Sequence, residues 1–124
     1  MRIGTASDAE ALLAPLFARA EGEAVAVLHL AAGSAFIAMS LEGKGAHDEA
    51  ELLVGAILGR ALRLGSEALI LAHNHPSGDP SPSAADLVAT RRLADAAGPL
   101  GIRLFDHLVF GGGECRSFRE LKLL

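Results

Sequence analysis

The chain has 124 residues, of which 51% are hydrophobic and 4% aromatic, and its formal net charge is −4 at pH 7. This length predicts a single domain, residues 1–124, around one hydrophobic core. The acidic balance argues against broad electrostatic binding of nucleic acid, and no apolar run approaches the about 18 residues of a membrane span. We expect no secretory leader. The single cysteine, Cys115, excludes an internal disulfide and predicts a cytoplasmic protein.

The first predicted element is a helix that starts at Ser7, which is a suitable N-cap. Its apolar residues recur at helical spacing on one face, namely Leu12, Leu13, Leu16 and Phe17. Pro15 lies inside this pattern and predicts a kinked or split helix, because proline removes a helical hydrogen bond.

The next two elements predict a β-hairpin. Residues 24–30 are almost continuously apolar, which is typical of a strand covered on both faces. Gly33 turns the chain, and residues 35–40 form the returning strand. Residues 42–47 are a flexible connection. We interpret His29 as a strand-surface residue and His47 as a loop residue, neither with a functional role.

A second helix is predicted from Asp48 to about Leu64, and Gly65 suits its left-handed C-terminal position. The side predicted to face the core carries Leu52, Leu53, Ile57 and Leu62. A third strand follows at residues 68–72.

The segment after that strand carries the chemistry: His73-Asn-His-Pro-Ser-Gly-Asp-Pro-Ser-Pro-Ser-Ala-Ala-Asp86. His73 and His75 are two residues apart, so at a strand end both imidazoles can point the same way. Asp86 could add a carboxylate, and catalytic zinc sites combine three such ligands with an open position. The histidine pair alone is a weak signal, because either ring could be a packing or an exposed residue. Ser83 and Asp86 also form an ordinary helix start.

The third helix opens at Ser83 and ends at Gly98-Pro99. Its predicted inward residues are Leu87, Val88, Leu93, Ala94 and Ala97. Residues 102–110 predict a fourth strand, residues 111–113 a glycine turn, and residues 115–118 a return strand that includes Cys115 as a small buried hydrophobe. The last residues form a short segment of one helical turn. The sum is an α/β fold with a mixed sheet of about five strands packed by helices.

The segment from His73 to Asp86 resembles the JAB/JAMM (MPN+) metalloprotease motif, His-x-His followed by Ser-x-x-Asp. Its His-Pro-Ser-Gly form, together with Asp106-His107 and Ser117-Phe-Arg-Glu120, is similar to the RadC branch. The match extends from about Glu23 to the C-terminus. The resemblance implies a cytidine-deaminase-like three-layer sandwich and hydrolysis of an amide, peptide or isopeptide bond. It also implies Zn²⁺ bound by His73, His75 and Asp86.

Three further roles follow from the same resemblance. A glutamate at the head of an upstream apolar run serves the family as general base, and Glu23 matches that place. Glu21 is the alternative, since it lies two residues away on the same side of an extended chain. Ser83 would donate a hydrogen bond to a developing oxyanion, or accept one as N-cap. Asp106 and His107 would orient a ligand histidine, or hold the sheet together.

The chain also departs from the RadC pattern. RadC-type proteins generally carry a helix-hairpin-helix region before this domain, and none fits before Glu21. Gly55-Ala56 stands where an Arg-Glu is frequent, and Gly65-Ser66 where an Asn-Ala is common. We therefore expect a stand-alone domain that acts on a peptide or isopeptide substrate without DNA. The alternative function is a non-enzymatic RadC-like binding module associated with DNA repair or DNA processing.

Overall fold

The computed structural model describes residues 1–42 and 50–124. Three α-helices and five strands occur in these ranges. In chain order they are α1 (Ala6–Ala18), β1 (Val25–Leu30), β2 (Phe36–Glu42), α2 (Ala50–Leu64), β3 (Ala68–Asn74), α3 (Ala84–Ala97), β4 (Arg103–Gly111) and β5 (Glu114–Ser117). The predicted His47 loop and the predicted start of the second helix lie outside the described residues.

The strands form one five-stranded sheet in the order β2-β1-β3-β4-β5. The pair β3 and β4 is parallel, whereas the other neighbouring pairs are antiparallel. The sheet is therefore mixed, and the prediction of an α/β fold with about five strands is confirmed.

Helices cover both faces of the sheet, which gives three layers. On one face, Leu13 and Phe17 of α1 pack against alternate strand residues that include Leu28, Ile70 and Phe110. On the other face, residues of α2 and α3 such as Ile57 and Leu93 pack against Val27, Leu69 and Leu71. Strand side chains alternate between the faces, so the nearly unbroken apolar runs of β1 and β3 follow from burial on both sides. Within the described residues, no helix is long and apolar enough to cross a bilayer.

Helix α1 differs from its prediction at both the N-cap and Pro15. The N-cap is Thr5, whose hydroxyl accepts a hydrogen bond from the backbone N–H of Asp8 at 3.1 Å, so the prediction of Ser7 was wrong. The helix also runs unbroken through Pro15 for 13 residues. The loss of one helical hydrogen bond is offset by packing of the last turn, where Phe17 stacks on Phe110 at a centroid distance of 4.6 Å.

The predicted inward faces of α2 and α3 are confirmed in part, since Leu53, Ile57, Leu93, Ala94 and Ala97 pack into the core. Leu62, Leu87 and Val88 are exposed. On α3 the inward stripe instead begins at Asp86 and continues through buried Thr90, Leu93 and Ala97. The spacing of four, three and four residues is helical, so the orientation of Asp86 toward the sheet end sets the phase of the whole helix.

His29 is buried and not on the strand surface as predicted. Its Nδ1 lies 2.9 Å from the Ser66 hydroxyl and its Nε2 lies 3.0 Å from the Ser40 hydroxyl. The error arose because β1 lies between β2 and β3 and is covered on both faces, which a local polar residue in the sequence does not reveal. The last residues of the chain form hydrogen-bonded turns, one of which is a single α-helical turn in which the Leu121 N–H donates to the Ser117 oxygen at 3.0 Å.

Candidate metal centre

Three side chains converge where β3 ends and α3 begins. The Nε2 atoms of His73 and His75 lie 3.1 Å apart. The Asp86 carboxylate faces both rings, with Oδ1 3.1 Å from His73 Nε2 and Oδ2 2.9 Å from His75 Nε2. Among the described residues, these three form the one group of histidine, cysteine or acidic side chains whose ligand atoms lie within 4.8 Å of one another.

Local structure explains how Asp86 reaches the histidines. Ser83 and Asp86 form a capping box, in which the Asp86 N–H donates to the Ser83 hydroxyl at 3.1 Å and the Ser83 N–H donates to Asp86 Oδ2 at 2.8 Å. The helix start thereby holds the carboxylate in the first turn. Oδ1 is not used by this cap, so capping and metal binding are compatible.

The charge on Asp86 is also favoured by its surroundings. Burial alone would raise the pKa of this carboxyl, but the neighbouring His73 and the hydrogen bond from the Ser83 backbone N–H outweigh it and hold the pKa far below its usual range. Asp86 is therefore ionised at neutral pH, as a metal ligand requires.

His75 is held by the backbone of the loop that follows it. Its Nδ1 lies 2.8 Å from the Asp79 carbonyl oxygen. A carbonyl only accepts, so Nδ1 carries the proton and Nε2 of the neutral ring offers a lone pair to the centre. The loop itself rests on the glycine turn after β4, where a Cβ on Gly112 would meet the Gly78 oxygen at 2.6 Å.

His73 is held by a second histidine. Its Nδ1 lies 2.8 Å from Nε2 of His107 on the neighbouring strand β4. The His107 ring is buried and stacks on Phe118 at a centroid distance of 4.5 Å. Burial, reinforced by the nearby His73, lowers the pKa of His107 to about 3. His107 is therefore a neutral partner of the His73 ring, and this contact is the one that the first of the two sequence alternatives requires.

The Asp106 side chain, unlike that of His107, is directed away from the three convergent side chains. Its carboxylate accepts hydrogen bonds from the Ser117 hydroxyl at 2.5 Å and from the Arg119 N–H at 3.0 Å. It also accepts the backbone N–H of His107 at 2.7 Å. Asp106 thus connects β4 to the end of the chain and contacts none of the three convergent side chains.

Glu23 lies just before β1, at the same end of the sheet as the cluster. In the antiparallel register of β1 and β3, Val25 is opposite His73. The paired register ends there, two residues from Glu23 on one strand and two residues from His75 on the other. Glu23 is half-buried at this position.

The segment that carries Glu23 is fixed by Asn74, the last residue of β3. Asn74 Oδ1 accepts the Ala24 N–H at 2.7 Å, and its Nδ2 donates to the Gly22 oxygen at 3.0 Å. Gly22 has a φ of 92°, so the chain is not extended there and the predicted shared side of Glu21 and Glu23 does not hold. Glu21 is exposed.

The Ser83 hydroxyl accepts the N-cap hydrogen bond described above and is exposed. A hydroxyl has one proton and two lone pairs, so this acceptor role leaves its proton free. The two sequence alternatives for Ser83 are therefore compatible.

The donor set fits Zn²⁺. Zinc binds imidazole nitrogen at about 2.0–2.1 Å in tetrahedral geometry, which separates two such nitrogens by about 3.3 Å; the two Nε2 atoms are 3.1 Å apart. Two neutral imidazoles and a carboxylate are also the ligand types of catalytic zinc sites. Cys115 takes no part, because burial raises the pKa of its thiol to about 12.

Sequence reasoning missed two polar residues beside the centre. Asn74 stands between the two histidines, and the alternation of a strand points it to the opposite face, toward the Glu23 segment. Thr90 lies four residues after Asp86 and contacts His107, with Oγ1 2.6 Å from Nδ1. The four-residue spacing from Asp86 was the available signal for Thr90, since it places both residues on one side of a helix.

Comparison with known proteins gives the family. Residues 3–123 match the family model described as RadC-like JAB domain. A UPF0758 protein of Rhodobacter capsulatus is 45% identical over 98 residues, which are 79% of this chain and 46% of the relative. A UPF0758 protein of Acidithiobacillus ferrooxidans is 53% identical over 76 residues, which are 61% of this chain and 34% of the relative. The chain thus spans less than half the length of these two relatives. On the extent of the family match, the chain belongs to the RadC-like JAB domain family.

Proposed function

We propose that the protein is a zinc-dependent hydrolase of JAB/JAMM type that cleaves an amide, peptide or isopeptide bond. The observation that supports the proposal is the convergence of His73 Nε2, His75 Nε2 and the Asp86 carboxylate at one edge of the sheet. These three side chains would hold the ion. A polar partner holds each of them, namely His107 for His73, the Asp79 carbonyl for His75 and Ser83 for Asp86, as is common in functional metal sites.

Zn²⁺ in such a site supplies a water whose pKa is lowered to about 7 and polarises the substrate carbonyl. Glu23 is the proposed general base, because it is half-buried at the end of the sheet where His73 and His75 lie. Its carboxylate takes the proton of the attacking water and delivers it to the leaving amine. The free proton of the Ser83 hydroxyl is donated to the carbonyl oxygen as that oxygen becomes negative.

A cavity of about 530 Å³ lies on the α1 face of the sheet, and of the candidate site residues it is lined by His75 alone. Its lining combines the Phe17 and Phe110 rings with glycine backbone at Gly22, Gly78 and Gly112. Walls without side chains suit an extended peptide segment. The net charge of −4 favours such a partner over DNA, and the free thiol of Cys115 suits the cytoplasm as the place of action.

The proposal is tested by cleavage assays on libraries of peptide and isopeptide-linked substrates with the zinc-loaded protein. We expect Glu23→Gln to lower the rate by about 10²- to 10⁴-fold and to retain its zinc. Glu21→Gln is the matched control, since it removes an exposed carboxylate two residues away, and it should cleave at the wild-type rate. Zinc-loaded wild-type protein that cleaves no member of either library contradicts the hydrolase and supports a binding module.

A further inference from the structure

We propose that Thr90 is a positioning residue of the metal centre: its hydroxyl fixes the tautomer of His107 and thereby keeps the His73 Nε2 lone pair free for the metal. The inference rests on the proposed zinc site. It concerns a residue that contacts none of the three convergent side chains through its own side chain.

The argument starts from the single proton of the Thr90 hydroxyl. Oγ1 lies 2.7 Å from the backbone carbonyl oxygen of Asp86, four residues earlier on α3. A carbonyl oxygen cannot donate, so this contact uses the hydroxyl proton, as threonine side chains commonly do within helices. The oxygen of Thr90 then has lone pairs, but no proton, for its contact with His107.

The positions of the protons on His107 and His73 follow from this contact. His107 Nδ1, 2.6 Å from Thr90 Oγ1, must be the donor of that contact. Neither ring nitrogen of His107 contacts a carboxylate in the described structure, and a charged ring would be unpaired in the interior. The neutral ring with a proton on Nδ1 has an accepting Nε2, which faces His73 Nδ1 at 2.8 Å. The proton of that contact therefore sits on His73 Nδ1.

The consequence is a ligand ring with its proton held away from the metal. His73 bound through Nε2 needs a proton on Nδ1 when it is neutral, and His107 accepts that proton. Without the Thr90 hydroxyl, His107 Nδ1–H would lose its acceptor, and the other tautomer would become favourable because a buried unpaired donor is costly. In that tautomer the proton is on His107 Nε2, which faces the proton on His73 Nδ1. Two hydrogen-bond donors would then point at each other.

His75 shows why this device is needed at one ligand only. Its Nδ1 proton is accepted by the Asp79 carbonyl, which has no second tautomer. His73 instead faces a ring that can present either a donor or an acceptor. A third group must determine which tautomer His107 adopts, and Thr90 is the residue that contacts the other ring nitrogen of His107.

The first test measures zinc affinity by competition with a chromophoric chelator. Thr90→Val keeps the side-chain shape but removes the hydroxyl, and we expect zinc affinity to fall by about 10- to 100-fold. Thr90→Ser restores the hydroxyl and should bind zinc as the wild type does. Ser66→Ala is the matched control, because it removes a buried hydroxyl that contacts His29, a histidine outside the metal centre. It should also retain wild-type affinity.

The second test reads the protons directly by ¹⁵N NMR of the histidine rings in metal-free wild-type protein. We expect His107 to carry its proton on Nδ1, and to carry it on Nε2 in Thr90→Val. A proton on His107 Nε2 in the wild type overturns the inference, as does equal zinc affinity of Thr90→Val and Thr90→Ser. Failure of the wild type to bind zinc would instead overturn the proposed function, while the NMR measurement still decides the role of Thr90.

Discussion

His107 connects the candidate site to the stability of the fold through its charge. The ring is buried and its pKa is about 3 in the folded protein, against 6.5 for an unperturbed histidine. The unfolded chain therefore binds a proton on this residue at a higher pH than the folded chain does. Stability from the neutral ring is fully present above about pH 6.5 and is lost between that pH and about 3.

We accordingly predict that the free energy of unfolding of the metal-free protein decreases from pH 7.5 to pH 4.5, by at most about 1.4 kcal/mol per pH unit from this residue. His29 contributes in the same direction, since burial lowers its pKa and outweighs the opposing effect of Glu42. Urea denaturation across this range should show a smaller slope for His107→Gln than for the wild type. Equal slopes would contradict the assignment of a buried neutral ring.

Residue patterns in the sequence predicted the convergent side chains and offered His107 and Ser83 as their supports, but they did not indicate Thr90 or Asn74. The side chains of His73 and His75 lie on the same face because they are two residues apart at a strand end. The position of Asp86 was predicted from the helix start at Ser83. Thr90 and Asn74 could not be assigned in the same way. Their partners, His107 and the segment around Gly22, are distant in sequence and adjacent only after the sheet forms.

At the scale of elements, the loop after β3 is held by the turn between β4 and β5. The backbone of Gly78 passes so close to Gly112 that any side chain there would meet the Gly78 oxygen. Gly112 and Gly113 both have positive φ, 59° and 79°, but a Cβ on Gly113 would have no atom within 4 Å. Alanine in place of Gly113 therefore reports the free-energy cost of the positive φ alone. Alanine in place of Gly112 adds the cost of close contact with Gly78.

We predict that Gly112→Ala destabilises the protein by about 1–3 kcal/mol more than Gly113→Ala, because only the first forces the loop aside. Since this loop supplies the Asp79 carbonyl that holds His75, Gly112→Ala should also weaken zinc binding. Urea denaturation and chelator competition measure the two effects. If both variants lost the same stability and bound zinc equally well, the close approach of the two loops would have no role in the centre.

The elements also show where sequence patterns fail. The order and type of helices and strands followed from apolar periodicity and glycine turns. The first turn of α3 is the exception, because the predicted core residues Leu87 and Val88 are exposed whereas Leu93, Ala94 and Ala97 pack inward as predicted. A helix that starts with a functional carboxylate is rotated to present that carboxylate, and the apolar residues next to it are exposed as a result.

At the scale of the whole molecule, two structural layers meet at the candidate centre. The sheet contributes His73 and His75 from β3, and the helical layer contributes Asp86 from α3. An ion bound by all three side chains would link the sheet to the helical layer. This link would exist only in the folded protein. Binding to the native state in preference to the unfolded chain raises stability by mass action.

We predict that zinc at 100 times its dissociation constant raises the free energy of unfolding by about 2.7 kcal/mol, and that a chelator reverses the gain. Asp86→Asn should show little or no gain, because it removes the ligand from the helical layer. Thermal unfolding with and without zinc measures both. Equal stabilisation of the wild type and Asp86→Asn would mean that the ion binds elsewhere.

The measurement that tests the central claim most directly is a zinc titration of the metal-free protein, with His75→Ala beside the wild type and His29→Gln as a control for a buried histidine outside the centre. The account predicts one equivalent of zinc bound by the wild type and by His29→Gln. It predicts a loss of affinity in His75→Ala larger than the about 10- to 100-fold effect of outer partners. A wild type that binds no zinc, or a His75→Ala variant that binds it as tightly as the wild type, would contradict the account.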